Sequence, residues 1–207
     1  MKTQIHKRLQ AGFTLYELLI TVIIVGVVLS YGIANMADFT RNNRMTATVN
    51  DLHAAFHLAR SESARARTNV TICASSNSMD ENPTCTGIDT WDRGYIVFQD
   101  TDGDLLPGFD ETILRRQGEA ETGIRLTFEN DADYFSYSGT GQGRGDVDGF
   151  PAVSRVVMCD KRGNTIGAGG NSAARLFVVT PMGRGTIVRD LDRIQAAMDD
   201  FPVWCPT

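Results

Sequence analysis

Residues 13–34 read FTLYELLITVIIVGVVLSYGIA, 22 positions in which Glu17 is the only charge. As a helix at about 1.5 Å per residue this run is about 33 Å long, enough to cross a hydrocarbon core about 30 Å thick. Three basic residues, Lys2, Lys7 and Arg8, precede the run, and none follows it closely. Positive charge on the near side keeps the N-terminus in the cytoplasm and carries residues 35–207 across the membrane. The alternative is a secretory signal peptide, with residues 18–29 as its apolar core and a weak small-residue cleavage site at Ala34 or Ala37. The whole chain conceals the run, because 42% hydrophobic and 22% charged residues are ordinary values for a soluble protein.

Glu17 argues against the signal peptide. A carboxylate inside an apolar helix costs about 2.5–3.5 kcal/mol near the bilayer centre, so it calls for a partner. The stretch Gly12-Phe13-Thr14-Leu15-Tyr16-Glu17, behind a short basic leader and ahead of an apolar helix, closely resembles the class III signal of type IV prepilins and pseudopilins. The resemblance implies that prepilin peptidase cuts after Gly12 on the cytoplasmic side, and that Phe13 becomes an N-methylated N-terminus. Glycine leaves the scissile bond unobstructed. Glu17 would then meet the terminal amine of a neighbouring subunit, which offsets the desolvation of both groups and sets axial register. Many pilins bend their helix with a proline where this chain has Ala34, so no proline kink is expected here.

Beyond Ala34 the apolar spacing continues at Met36, Phe39, Met45, Val49, Leu52, Phe56 and Ala59, mostly in steps of three and four. That is one face of an amphipathic helix. With neither Pro nor Gly from Ile33 to Arg67, one helix is expected from about Thr14 to Arg65, its outer half buried along one stripe against a globular domain. His53 and His57 lie four apart on this helix, a spacing that supplies half of a zinc site. The remaining histidine is His6, in the leader, and no cysteine lies near the pair. A Ser-His-Asp or Cys-His hydrolase would have to use one of the two helix histidines, so the chain is not expected to be an enzyme.

From Asn69 onward, short β-rich runs alternate with Gly, Asn and Asp clusters: Val70-Ile72, Tyr95-Phe98, Ile113-Leu114, Ile124-Phe128, Tyr134-Phe135, Val153-Met158, Leu176-Val179 and Ile187-Val188. They predict an antiparallel, meander-like β domain packed on the helix. The Gly-rich stretch 139–149 is expected to be a loop without a nucleotide fingerprint, since it does not open a helix after a strand. Cys73, Cys85, Cys159 and Cys205 all fall on the translocated side, where disulfides form. Four cysteines allow three pairings; the expected one is Cys73–Cys85 with Cys159–Cys205, clipping the first strand to its following loop and the C-terminal tail to a late strand.

The strand ending in Cys73, the run Trp91-Asp92-Arg93-Gly94-Tyr95-Ile96-Val97-Phe98, the Asp/Gly turn, Ile113-Leu114-Arg115, Val157-Met158-Cys159-Asp160 and the late Gly183-Arg184 together resemble the FimT/FimU and GspH group of minor pilins and pseudopilins. The resemblance implies an α+β pilin fold, a long N-terminal helix packed on an antiparallel β-sheet or sandwich domain. Residues 1–12 would be a cleaved leader, 13–67 the helix with its transmembrane segment at 13–34, and 68–207 a periplasmic domain. It also implies a single-pass inner-membrane subunit that enters or primes a surface pilus, or alternatively a periplasmic pseudopilus of type II secretion. Its partners would be other pilin subunits, the inner-membrane assembly machinery and prepilin peptidase. Losing the leader would remove three positive charges from a chain of net charge −5.

Two further readings concern ligands. Asp100, Asp102, Asp104 and Glu111 occupy positions 1, 3, 5 and 12 of a loop, which is calcium-ligand spacing, although position 6 is Leu105 where an EF-hand needs glycine. Otherwise no cofactor is expected; a solvated acidic turn is the plain alternative. Some FimT-like pilins carry a C-terminal G-R-x-R motif that holds DNA, and arginine suits phosphate. Here the motif reads Gly183-Arg184-Gly185-Thr186, with Arg189 further on and acids at Asp190, Asp192, Asp199 and Asp200. That makes Arg184 and Arg189 candidate DNA contacts in a domain that is acidic overall, and an exposed turn the competing reading.

Overall fold

A computed structural model describes residues 12–87 and 91–206, and the chain divides into two units at Thr40. The leader residues Lys2, His6, Lys7 and Arg8 lie outside the described residues. Helix α1 runs Leu15–Ala66, within a residue of its expected limits at both ends. It stops where Arg67 turns into the left-handed region at φ 55°.

In the second unit, α1 buries Met45, Val49, Leu52, Ala55, Phe56, Ala59 and Ser63 along one stripe, as the spacing of three and four requires. The stripe packs between two four-stranded antiparallel sheets. The strands are β1 Asn69–Ala74, β2 Tyr95–Asp100, β3 Ile113–Gln117, β4 Arg125–Phe128, β5 Tyr134–Tyr137, β6 Arg155–Cys159, β7 Arg175–Val179 and β8 Gly185–Val188. One sheet has the order β3-β2-β1-β5 and the other β4-β6-β7-β8. The domain is therefore not the simple meander that short sequential strands suggest: β4 leaves to begin the second sheet, and β5 returns to the free edge of β1.

Phe56 joins the layers. Its ring lies 5.3 Å from that of Phe135 on β5 and 5.1 Å from that of Phe177 on β7, one contact to each sheet. Trp91 makes a second junction, stacked 4.3 Å from Phe128 at the end of β4 and donating its indole N–H to the Ala132 carbonyl at 3.0 Å. Both rings are large apolar surfaces in geometries that aromatic pairs favour.

Strand alternation separates three cores. On the first sheet Val70, Ile72, Val97, Phe135 and Tyr137 face the helix, while Cys73, Ile96, Phe98 and Tyr134 face away into a smaller cluster. On the second sheet Val156, Met158, Phe177 and Val179 face the helix, and Val157, Cys159, Leu176 and Val188 face outward. Two buried faces explain why these strands read as short continuous apolar runs.

The outward face of the second sheet is covered by an element the strand pattern does not announce, helix α2, Leu191–Asp200. Asp190 caps it, accepting from the Arg193 N–H at 3.0 Å, and Ile194 and Ala197 supply its buried side. The acids of the tail are thus cap and solvent face of a helix. Its last residue, Asp200, accepts from Arg155 at 2.7 Å, and Arg155 also pairs with Glu129. The Arg155 guanidinium holds the Glu129 carboxyl below its usual range.

The disulfides join Cys73 to Cys85 and Cys159 to Cys205, across 12 and 46 residues of sequence. The chain-entropy relation assigns loops of these lengths about 3 and about 4 kcal/mol.

Truncating the residue that meets both sheets tests this packing. Phe56→Ala is expected to cost about 3–5 kcal/mol, read by chemical denaturation, and to lower the melting of both sheets in one transition.

Candidate functional site

The residues with assigned roles fall into four separate places. The first is the start of α1. Gly12, Phe13 and Thr14 are exposed and lie ahead of the helix. The Thr14 backbone N–H donates to Glu17 Oε2 at 2.9 Å, the Thr14 hydroxyl donates to the same oxygen at 3.0 Å, and the Glu17 N–H lies 3.2 Å from Thr14 Oγ1. This is a capping box, in which residues three apart satisfy one another's orphan donors at a helix start. The sequence carries this signal as Thr-x-x-Glu, with Thr14 at the N-cap and Glu17 three residues on.

Behind the box Leu15, Leu18, Val22, Ile23, Val27 and Val28 are all exposed. A continuous apolar surface of this kind on a subunit marks a membrane or protein contact. Described side chains cover residues 13–30 of the run, and among the described residues no helix is long and apolar enough to cross a membrane. The expected span continues to Ala34, whose side chain lies outside the description.

The second place is the histidine pair. His57 Nε2 lies 3.0 Å from His53 Nε2, so one ring donates to the other. The His53 ring is 5.9 Å from that of Phe177. Burial and then the neighbouring His57 hold the His53 imidazole below its ordinary range, against the pull of the Gly185 backbone. Among the described residues no third metal ligand joins the pair.

The third place is the turn after β2. One carboxylate oxygen from each of Asp100, Asp102 and Asp104 lies within 4.8 Å of the other two. Glu111, expected as a fourth ligand, is not part of this group. Its carboxylate instead accepts from the backbone N–H groups of Thr101, at 2.6 Å, and Gly108, at 3.0 Å. These bonds tie the start of the turn at Thr101 to its return at Gly108, and the sequence spacing alone does not reveal it.

The fourth is the Gly183-Arg184 turn between β7 and β8. Gly183 has φ 75°, and a Cβ there would stand 2.3 Å from the Tyr137 ring. The Tyr137 hydroxyl donates to the Gly183 carbonyl at 2.7 Å. Glycine is therefore required by the tyrosine packed on it. Arg184 and Arg189 are exposed on either side of β8, and Asp190 and Asp192 follow directly. The four cysteines are consumed in the two disulfides, and no free thiol remains.

A long N-terminal helix packed on two antiparallel sheets, behind an exposed apolar N-terminal segment, defines an α+β pilin fold. A family profile described as Type II transport protein GspH matches residues 48–183, and one described as a prokaryotic N-terminal methylation motif matches residues 7–32. The chain belongs to the GspH family. Members of that family are structural subunits and not enzymes. Two crystal structures of the Pseudomonas aeruginosa type IV minor pilin FimU are similar to it. One is 15% identical, covering 72% of this chain and 92% of that one at a TM-score of 0.47; the other is 14% identical, covering 69% and 91% at 0.42. No curated protein sequence matches.

The histidine pair carries a pH prediction. A histidine whose folded pKa is lowered binds fewer protons in the folded state, so stability is complete above the unfolded pKa and falls as pH drops through it. Melting temperature is expected to decline from about pH 7 to about pH 5, and His57→Gln is expected to flatten that decline.

Proposed function

We propose that this chain is a minor pilin-type subunit, made with a cleaved leader of residues 1–12 and anchored in the inner membrane by residues 13–34. Residues 68–207 form its periplasmic domain, carried by the outer part of the helix at 13–67. The observation that carries the proposal is the exposed apolar helix that starts directly behind Gly12 within a methylation motif. Exposed apolar side chains along that helix need lipid before assembly and neighbouring helices after it. Prepilin peptidase cuts after Gly12, and the new amine at Phe13 is methylated. The subunit then enters or primes a filament together with other pilin or pseudopilin subunits and the membrane assembly machinery.

Glu17 has two tasks in this reading. Within the subunit it closes the capping box through Oε2. In the filament its charge meets the N-terminal amine of a neighbour, where low dielectric makes the pairing strong and an unpaired charge expensive. The match to the GspH profile favours a second form of the same proposal, a pseudopilus of type II secretion in place of a surface pilus. Deleting the genes of one or the other system in the host and following incorporation distinguishes the two.

Sequencing the N-terminus of the chain recovered from membranes of cells with prepilin peptidase should give methylated Phe13; a start beyond residue 30 contradicts the proposal. Glu17→Gln should preserve the helix cap, since glutamine serves at that position of a capping box, yet abolish incorporation into the filament with unchanged domain melting. Normal incorporation of that variant removes the assembly role.

A further inference from the structure

Asp100 ends β2 with its carboxylate fully buried, where an acid is rare without partners. One of its oxygens is provided for. Oδ2 accepts from the Thr71 hydroxyl at 2.7 Å and from the Arg144 guanidinium at 3.3 Å. The Ser136 hydroxyl lies 2.8 Å from Thr71 Oγ1 and completes that side. Oδ1 is buried and has no hydrogen-bond partner. A charged acceptor withdrawn from water and left without a donor is costly, so such groups usually mark a ligand or a missing partner.

The chain leaves Asp100 through Thr101-Asp102-Gly103-Asp104, which folds two exposed carboxylates back beside it. Oxygens bound to one calcium ion at about 2.3–2.6 Å stand no more than about 5 Å apart. The 4.8 Å limit on the three carboxylate oxygens therefore places them within reach of a single ion. All are hard oxygen ligands, with no nitrogen or thiolate among them, which selects calcium or magnesium over zinc or copper. Magnesium demands a small octahedral shell and keeps most of its water. Three carboxylates, one of them fixed in the protein interior, suit the larger and less exacting ion. Three carboxylates face one guanidinium, an excess of negative charge that a divalent cation offsets.

We propose that Asp100, Asp102 and Asp104 bind a calcium ion, with Asp100 Oδ1 as the buried ligand. Arg144 is a positioning residue. It engages Oδ2 of Asp100 and donates to the Gly103 carbonyl at 3.1 Å, holding the far oxygen and the turn together so that Oδ1 is left for the metal. Leu105 supports the turn from the other side. Its φ of 69° is the left-handed conformation that glycine usually supplies in such loops, and its side chain packs onto the cluster of Cys73, Ile96, Phe98 and Tyr134. The loop therefore has the turn expected of a calcium loop at its sixth position, with a partly buried side chain holding it. Glu111, tied to the Thr101 and Gly108 amides, stands outside the site and fixes the loop's return.

The test uses the full chain in detergent micelles. Calcium chloride is titrated by calorimetry, and melting is compared in excess chelator and in about 5 mM calcium, with sodium and magnesium chloride at matched ionic strength. Extracellular calcium modules bind at about 10⁻⁴–10⁻³ M, so saturation should raise the melting temperature by about 3–6 °C. Asp102→Asn with Asp104→Asn alters only exposed side chains and should abolish both the heat and the shift while the chain still melts cooperatively. Asp100→Asn keeps an acceptor for Thr71 and removes the buried charge; it should fold without calcium at least as stably as the parent and should not respond to the ion. No heat and no shift at that concentration overturns the proposal. So does a shift that survives in the double variant or in Asp100→Asn, or an equal shift with magnesium.

Discussion

One aromatic side chain on one helix determines how the domain is put together. Phe56 reaches Phe135 on the first sheet and Phe177 on the second, and the stripe around it, from Met45 to Ala59, fills the space where the inner faces of both sheets would otherwise be open. Neither four-stranded sheet has an apolar partner of its own size except through this stripe, apart from the Trp91–Phe128 stack at one end. Helix and sheets are thus mutually dependent: an amphipathic helix has little stability alone, and each sheet needs its inner face covered. The smaller clusters, behind β1 and β2 and beneath α2, are built on sheets that the helix has already positioned.

Much of this was legible in order. The helix stripe was visible because steps of three and four persist over several turns, and each strand was visible as a short β-branched or aromatic run between turn residues. Sheet membership was not visible. Nothing in the composition of β4 or β5 states that one leaves and the other returns, since that choice depends on contacts between residues such as Trp91 and Phe128 that are distant in sequence. Helix α2 is not legible in the sequence because its buried side needs only Ile194 and Ala197, too few to stand out against four acids. The acidic turn was half legible: spacing grouped four carboxylates, but hydrogen bonding to the Thr101 and Gly108 amides takes Glu111 out of the group.

The assembly segment shows the same division between local and distant demands. Thr14 and Glu17 satisfy the helix start with their own side chains, a requirement of any helix, while the exposed apolar residues behind them satisfy nothing within the described subunit. That segment lies within the match to the prokaryotic N-terminal methylation motif, residues 7–32.

The two disulfides have a mechanical consequence. Cys73–Cys85 ties the first sheet to its own loop, and Cys159–Cys205 ties the second sheet to the tail that follows α2. Neither bond crosses from sheet to sheet or reaches α1. A pull applied along the helix would therefore enter the domain through the backbone from Ala66 into β1 and through the packing at Phe56 and its neighbours, and the two disulfides would lie off the path of the load. They would hold Cys73 to its loop and Cys159 to the tail without adding to the joint between helix and sheets, which rests on the apolar seam and the chain's own passage into β1.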